Sequence, residues 1–103
     1  MAKVNHVVLF GWTPEATPAQ KQACAEALAG LKAVIPGILA YSGGGQNSPE
    51  APGQGIDFGF VMTFTDAAAR DAYLPHPEHQ RVIRESIAPI LRQVQVFDYA
   101  LAD

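Results

Sequence analysis

A tyrosine and a histidine on either side of a proline-containing turn are the clearest candidates for acid–base chemistry. Tyr73 and His79 are six residues apart, with Pro75 and Pro77 between them. The turn predicts that His79 lies at the start of a helix, where the backbone dipole favours the neutral imidazole that can accept a proton. A tyrosine hydroxyl can donate a hydrogen bond to a carbonyl oxygen. The pair therefore matches an enolisation or aldol step, which needs a base for the α-proton and a donor for the developing oxyanion.

Tyr73 and His79 also have a purely structural interpretation. A tyrosine and a histidine at a corner between two helices can hydrogen-bond each other and the backbone without contacting a substrate. The sequence leaves both interpretations open. The candidate catalytic residues are His79, as the general base, and Tyr73, as the hydrogen-bond donor.

The chain contains three histidines, which raises the question of a metal site. His76 and His79 are three residues apart, a spacing that can bring two imidazoles together on a helix, and His6 would complete a set of three. His76, however, precedes Pro77 and is expected to cap the following helix and face away. The sequence has no HExxH pattern and no cysteine partner for these histidines. We therefore predict no metal ion and no cofactor.

Length and composition predict one folded domain over residues 1–103. Apolar residues make up 49% of the chain and charged residues only 17%, so a core can form but little charge covers the surface. The formal charge of −3 is spread without a basic stripe, which argues against nucleic acid and anionic membranes as partners. The N-terminal segment has no signal-peptide pattern and no run of about 20 apolar residues, so we expect a cytoplasmic protein. The single cysteine, Cys24, is expected to be buried and apolar in character.

Hydrophobic periodicity predicts strands and helices in the order β-α-β-β-α-β, with the last helical region in two parts. Thr17 and Gln20 form a capping box at the start of the first helix. The glycine-rich segment 43–55 matches no phosphate-binding motif and is predicted to be a flexible loop that flanks a pocket. Pro89 should interrupt the last helix. The predicted strands are residues 4–12, 38–42, 56–65 and 94–101, and the predicted helices are 18–35, 67–74 and 77–91.

This element order predicts a ferredoxin-like α+β fold, in which an antiparallel four-stranded sheet carries its helices on one face. The first strand is nevertheless apolar on both faces. One face carries Val4, His6, Val8, Phe10 and Trp12, and the other carries Asn5, Val7, Leu9 and Gly11. A strand covered on one side only would be polar on the other. We therefore predict a homodimer in which the uncovered faces pack together as a dimeric α+β barrel.

Bulky residues on the helix-facing side of the sheet define a predicted ligand pocket. They form either a packed core or the wall of a site for an apolar or aromatic small molecule, and the sequence is compatible with both. A lone histidine on an apolar face, such as His6, is more often a hydrogen-bonded core residue than a ligand. The predicted pocket residues are His6, Val8, Phe10, Phe58, Phe60 and Leu28.

Four segments together resemble the stress-responsive A/B barrel domains, known as Dabb domains. They are HVVLFGW at residues 6–12, IPGI at 35–38, YLPHPEH at 73–79 and VFDYAL at 96–101. The third segment is the specific one, because the others are ordinary strand and turn sequences. The resemblance covers nearly the whole chain. It implies the dimeric barrel fold and, as in some members, a role in stress tolerance with assembly into larger oligomers.

The resemblance also implies an enzymatic alternative. One member of the family, a plant polyketide cyclase, performs a cofactor-free aldol condensation with a tyrosine and a histidine that fall on Tyr73 and His79. One of its pocket histidines falls on His6, but another falls on Phe58, so the resemblance does not extend to that enzyme's own substrate. Three hypotheses follow. The first is a stress-related or small-molecule-binding homodimer, the second a cofactor-free cyclase, isomerase or monooxygenase, and the third an assembly unit without a ligand.

Overall fold

A computed structural model describes residues 2–50 and 54–102 of the chain. Its strands are β1 (Val4–Trp12), β2 (Ile38–Gly45), β3 (Phe58–Phe64) and β4 (Leu91–Ala100). Its α-helices are α1 (Pro18–Val34), α2 (Ala67–Tyr73) and α3 (Pro77–Val82), followed by a π-helical turn (Ile83–Ile87) and a 3-10 turn (Ala88–Ile90). The strands form one antiparallel sheet in the order β2-β3-β1-β4. The predicted ferredoxin-like α+β fold is confirmed.

Helix α1 begins as the sequence predicts. The Thr17 hydroxyl accepts the backbone N–H of Gln20 at 3.1 Å, and the Gln20 side-chain oxygen accepts the N–H of Thr17 at 2.9 Å, which completes the capping box. The helix then buries Cys24, Leu28 and Leu31, which recur at helical spacing and join the core beneath the sheet. Burial raises the pKa of the Cys24 thiol to about 11, so this residue has the inert, apolar character expected of it.

The glycine-rich segment corrects one prediction. Gly43, Gly44 and Gly45 continue strand β2 and pair with β3, so the predicted loop is wrong at these residues. Strand periodicity cannot be read where side chains are missing, which explains the error. A Cβ atom on Gly43 would lie 2.9 Å from the Cβ atom of Phe60 on the paired strand, so close packing requires glycine there. Residues 51–53 of the predicted loop lie outside the described residues.

The last helical region is shorter than predicted. Instead of continuing through residues 77–91, the α-helix ends at Val82, and the backbone passes through the π and 3-10 turns before β4 begins at Leu91. Pro89 lies in the 3-10 turn and has no N–H to donate to an α-helical ladder, so the predicted interruption there is confirmed. Strand β3 also begins later than predicted, at Phe58.

Strand β4 carries most of the large apolar side chains that the sheet exposes. Val94 and Val96 are exposed on the face that they share with their β1 partners, and Phe97 and Tyr99 are exposed on the opposite face. The sheet thus ends in an apolar edge strand with neither side chain face covered. Among residues 2–50 and 54–102, no helix has the length and apolar character needed to cross a lipid bilayer.

Candidate functional site

Tyr73 is enclosed on all sides although it carries a polar group. It is the last residue of α2, whose start is fixed by Asp66, because that carboxylate accepts the N–H of Ala69 at 2.8 Å. Its side chain is completely buried, and its hydroxyl has no hydrogen-bond partner among the described residues. Burial raises the pKa of this phenol well above its usual value, so the hydroxyl keeps its proton. An unpaired buried hydroxyl costs about 1 to 3 kcal/mol of folding stability.

His79 stacks directly on Tyr73. The two ring centroids are 4.0 Å apart and the ring planes differ by 26°. The Nδ1 atom of His79 lies 3.0 Å from the Leu74 carbonyl oxygen, and because a carbonyl only accepts, Nδ1 carries the proton. Burial lowers the pKa of His79 and outweighs the opposing effect of the Leu74 hydrogen bond. The ring is therefore neutral at pH 7, with Nε2 as a free proton acceptor.

The turn that positions His79 is closed by the neighbouring histidine. His76 is the N-cap of α3, and its Nδ1 accepts the backbone N–H of Glu78 at 3.1 Å, which confirms the predicted cap. Within the described part of the chain, no three histidine, cysteine, aspartate or glutamate side chains cluster closely enough to hold a metal ion.

His6 contacts the same group from the sheet. Its ring meets the Tyr73 ring edge-on, with centroids 5.9 Å apart, and its side chain is almost fully buried. The Nδ1 atom of His6 lies 2.7 Å from one carboxylate oxygen of Asp98, its pairing partner on β4. The other carboxylate oxygen accepts a hydrogen bond from the Arg70 guanidinium of α2 at 2.8 Å. The chain Arg70–Asp98–His6 thus joins a helix and two strands next to Tyr73.

Asp98 and Arg70 are site residues that the sequence reasoning missed. Asp98 lies on β4 among the apolar residues Val94, Val96 and Ala100 of the same face. A carboxylate among apolar residues of a strand face needs a partner, and this signal was available in the VFDYAL segment. Its two partners come from distant parts of the chain, so no local spacing identifies them.

The residues of the predicted ligand pocket divide into two groups. His6 and Phe60 lie near each other and near Tyr73, with 6.2 Å between the His6 and Phe60 ring centroids. Phe58 is half-buried at the opposite end of β3, where it stacks on Phe10 with centroids 6.2 Å apart. The pocket itself stays a prediction: the larger of two depressions among the described residues includes Phe58 but neither His6 nor Tyr73. The predicted pocket residues packed into the core are His6, Val8, Phe10, Leu28 and Phe60.

The fold and the buried tyrosine–histidine cluster define a small α+β protein of the ferredoxin-like class with a polar group inside its core. The family model for the stress responsive A/B barrel domain matches residues 4–101. The chain therefore belongs to the Dabb family.

Solved structures agree with this assignment. An Arabidopsis thaliana protein is 27% identical with a TM-score of 0.88, and the match covers 97% of this chain and 96% of that one. A dimeric ferredoxin-like protein of unknown function from Thermobifida fusca is 30% identical with a TM-score of 0.83, over 97% and 92% of the two chains. A hydroxynitrile lyase from Passiflora edulis shares the fold at 16% identity, with a TM-score of 0.87 over 99% and 95%. No curated protein matches the chain.

Proposed function

We propose that this Dabb protein is a homodimer that binds a small molecule with an apolar or aromatic body and a carbonyl oxygen. The unpaired, fully buried hydroxyl of Tyr73 carries the proposal. A ligand carbonyl would accept the hydrogen bond that this hydroxyl lacks and so recover the free energy lost on burying it. The surrounding rings of His6, Phe64 and His79 favour an aromatic or acyl body for the ligand.

A ligand would reach the Tyr73 hydroxyl from the side on which His79 lies. His79 is only partly buried, whereas Phe64 and His6 close the other sides of the Tyr73 ring. One hydrogen bond from His79 to the Leu74 carbonyl oxygen holds the ring in its stacked position. The same oxygen also accepts a hydrogen bond from the Gln80 side chain at 2.9 Å. Rotation of the His79 imidazole would replace its stacking contact with Tyr73 by a contact between Tyr73 and the ligand. Binding would therefore select a conformation in which His79 is displaced.

The homodimer part of the proposal rests on β4. An edge strand with apolar side chains exposed on both faces is a template for association, and a second copy of the chain offers a matching surface. The similar Thermobifida fusca protein is described as dimeric, which supports the same arrangement here. A stress-related role, which the family description implies, and a cytoplasmic location belong to this proposal as further expectations.

The exchange of Tyr73 for phenylalanine tests the ligand proposal. Tyr73→Phe removes an unpaired hydroxyl, so it should stabilise the free protein by about 1 to 3 kcal/mol in urea unfolding. It should also abolish the thermal stabilisation given by carbonyl compounds found in a screen of aromatic and acyl ligands. Tyr41→Phe, at a half-buried tyrosine outside the stacked pair, is the matched control. A Tyr73→Phe protein that is less stable than the parent would show that the hydroxyl has a structural partner, and the proposal would fail.

A cofactor-free acid–base enzyme is the second candidate, favoured by the stacking of the neutral His79 ring on Tyr73. His79 would take the α-proton of a carbonyl compound, the C–H electron pair would form the C=C bond of the enolate, and the C=O π pair would move to the oxygen, to which Tyr73 donates its hydrogen bond. The enolate would then attack a second carbonyl carbon, as in a cyclase, or regain a proton at another carbon, as in an isomerase. The Passiflora edulis lyase supports the view that this fold can host catalysis, which is a fold-level analogy.

Deuterium exchange into a carbonyl compound distinguishes the enzyme proposal from the binding proposal. We expect the protein to accelerate α-proton exchange of an aryl ketone in D2O, followed by proton NMR, and His79→Gln to lower the rate roughly 100-fold. Because the pKa of His79 is lowered, its neutral form persists below the ordinary value of 6.5, and the rate should fall only as pH drops through that lowered pKa. His76→Gln is the control. Ligand binding without exchange would leave the first proposal standing and overturn the second.

A further inference from the structure

An open groove of about 850 Å³ lies at the opposite end of the sheet from Tyr73. It runs between the first half of α1 and the ends of β1, β2 and β3, where Phe58 lies. Tyr73 packs instead against Phe64, at the other end of β3. The groove shares no residue with the stacked pair, so a ligand bound there would be independent of the site proposed above.

One wall of the groove is aromatic. Trp12 and Phe58 line it with their ring centroids 5.7 Å apart, and Phe10 lies behind them, stacked on Phe58. The wall is fixed from below, because the Asp57 carboxylate accepts the Trp12 backbone N–H at 2.8 Å. Such a rigid pair of rings favours a flat aromatic ligand.

The part of the sheet beside the aromatic residues has no side chains to obstruct a ligand. It is formed by Gly43, Gly44 and Gly45 of the edge strand β2. A Cβ atom on Gly45, the residue that pairs with Phe58, would make only an ordinary contact of 3.7 Å with the Asp57 backbone. The backbone is therefore open to close approach by a planar group.

The charge available in the groove is positive. Lys21 lines it from α1 and forms no ion pair within the part of the chain that the structure describes. Asp57 also lines it, but its carboxylate already accepts the Trp12 N–H and lies 4.0 Å from the Arg92 guanidinium. We propose that this groove binds a planar aromatic carboxylate, with its rings on Trp12 and Phe58 and its carboxylate paired with Lys21.

The only tryptophan of the chain lies in the wall, so its fluorescence can follow binding. We expect biphenyl-4-carboxylate to change Trp12 emission with saturation. Biphenyl-4-carboxamide should bind roughly two- to fivefold more weakly, the size expected for the loss of an exposed ion pair, and the cationic biphenyl-4-methylamine more weakly still. In NMR titrations the backbone amides of Gly44 and Gly45 should shift, whereas that of Tyr73 should not.

Two variants locate the ligand. Lys21→Met should raise the dissociation constant of the carboxylate roughly two- to fivefold and leave that of the carboxamide unchanged. Lys32→Met, on the exposed part of the same helix but outside the groove, should change neither. Gly45→Leu should fill the groove and abolish binding without a backbone clash.

Several outcomes would overturn this proposal. Equal affinity for the carboxylate and the carboxamide, or no effect of Lys21→Met, would remove the role of charge. Amide shifts confined to Tyr73 and His79 would assign the ligand to the interior site instead. Failure to saturate at millimolar ligand, or Trp12 emission that depends on protein concentration alone, would show that the groove takes no such ligand or is covered by a second copy.

Discussion

Strands β1 and β4 are hydrogen-bonded neighbours in matched register, yet one is core and the other is surface. Val8 is 5% exposed and its partner Val96 is 59% exposed, while Phe10 is 3% exposed and its partner Val94 is 47% exposed. Both strands have similar apolar sequences, so the difference comes from what covers them. The helices of the protomer reach β1 but leave β4 bare. The protomer therefore accounts for the helix-facing side of β1, and only an additional surface accounts for the apolar residues exposed on β4.

Asp98 is the exception within β4. It lies on the same face as Val94 and Val96 but is held by His6 and Arg70, so it belongs to the interior cluster rather than to the exposed surface. Strand β4 thus has two roles. Asp98 ties the strand to the candidate site, and its apolar neighbours are available to a partner copy.

A charge at the most exposed apolar position of β4 should break the dimer. Phe97 is 68% exposed in the protomer, so the Phe97→Asp protein should fold normally. In the dimer, however, the new carboxylate would be buried in the interface, which should raise the dimer dissociation constant on the order of 100-fold. Light scattering and analytical ultracentrifugation measure this directly, with Phe97→Leu as the control that keeps apolar area. A Phe97→Asp protein that remains a dimer at the same concentration would place the interface elsewhere.

Truncation of paired valines should sharpen the contrast between the strands. Val8→Ala should cost about 2 kcal/mol in urea unfolding at any protein concentration, because it leaves a cavity in the core. Val96→Ala should cost less, and its effect should shrink further when it is combined with Phe97→Asp, because the protomer leaves 59% of Val96 exposed and the proposed partner copy would cover the rest. Equal losses for both valines in the Phe97→Asp background would contradict this account of β4.

Loss of the Asp98 carboxylate, which links β4 to β1, should have the smallest effect on the free energy of unfolding. Asp98→Asn removes the carboxylate that contacts His6 and Arg70 and should lower stability by about 1 to 2 kcal/mol. Asp71→Asn is the matched control, because Asp71 also contacts Arg70 at 2.8 Å but its side chain is 67% exposed, against 20% for Asp98. The control should change stability by less than about 0.5 kcal/mol. Similar losses in both variants would show that burial adds nothing to the Asp98 contacts.

The sequence predicts the fold well because alternation and helix signals are local. The capping box at Thr17, the stop at Pro89 and the strand alternation of β1 and β3 depend on neighbouring residues, and all are found in the structure. The strand at Gly43 could not be predicted, because a glycine run carries no alternation and the close approach to Phe60 arises only on pairing with β3.

The candidate site is predicted less completely for the same reason. Tyr73 and His79 share one short motif, so their proximity follows from the sequence. Asp98 and Arg70 come from β4 and α2, and their contacts depend on the strand order. The missing partner of the Tyr73 hydroxyl is a property of packing in three dimensions that no sequence pattern encodes.

Because the Cys24 thiol is buried, the rate at which it is alkylated reports how often the core opens. The chain has a single cysteine, its side chain is fully buried, and its pKa of about 11 leaves almost no thiolate at neutral pH. Alkylation must therefore wait for an event that separates α1 from the sheet, and the labelling rate measures the frequency of that event. Ligands that bind the closed core should slow the alkylation of Cys24. This one residue therefore measures how often the helices separate from the sheet, without any introduced label site.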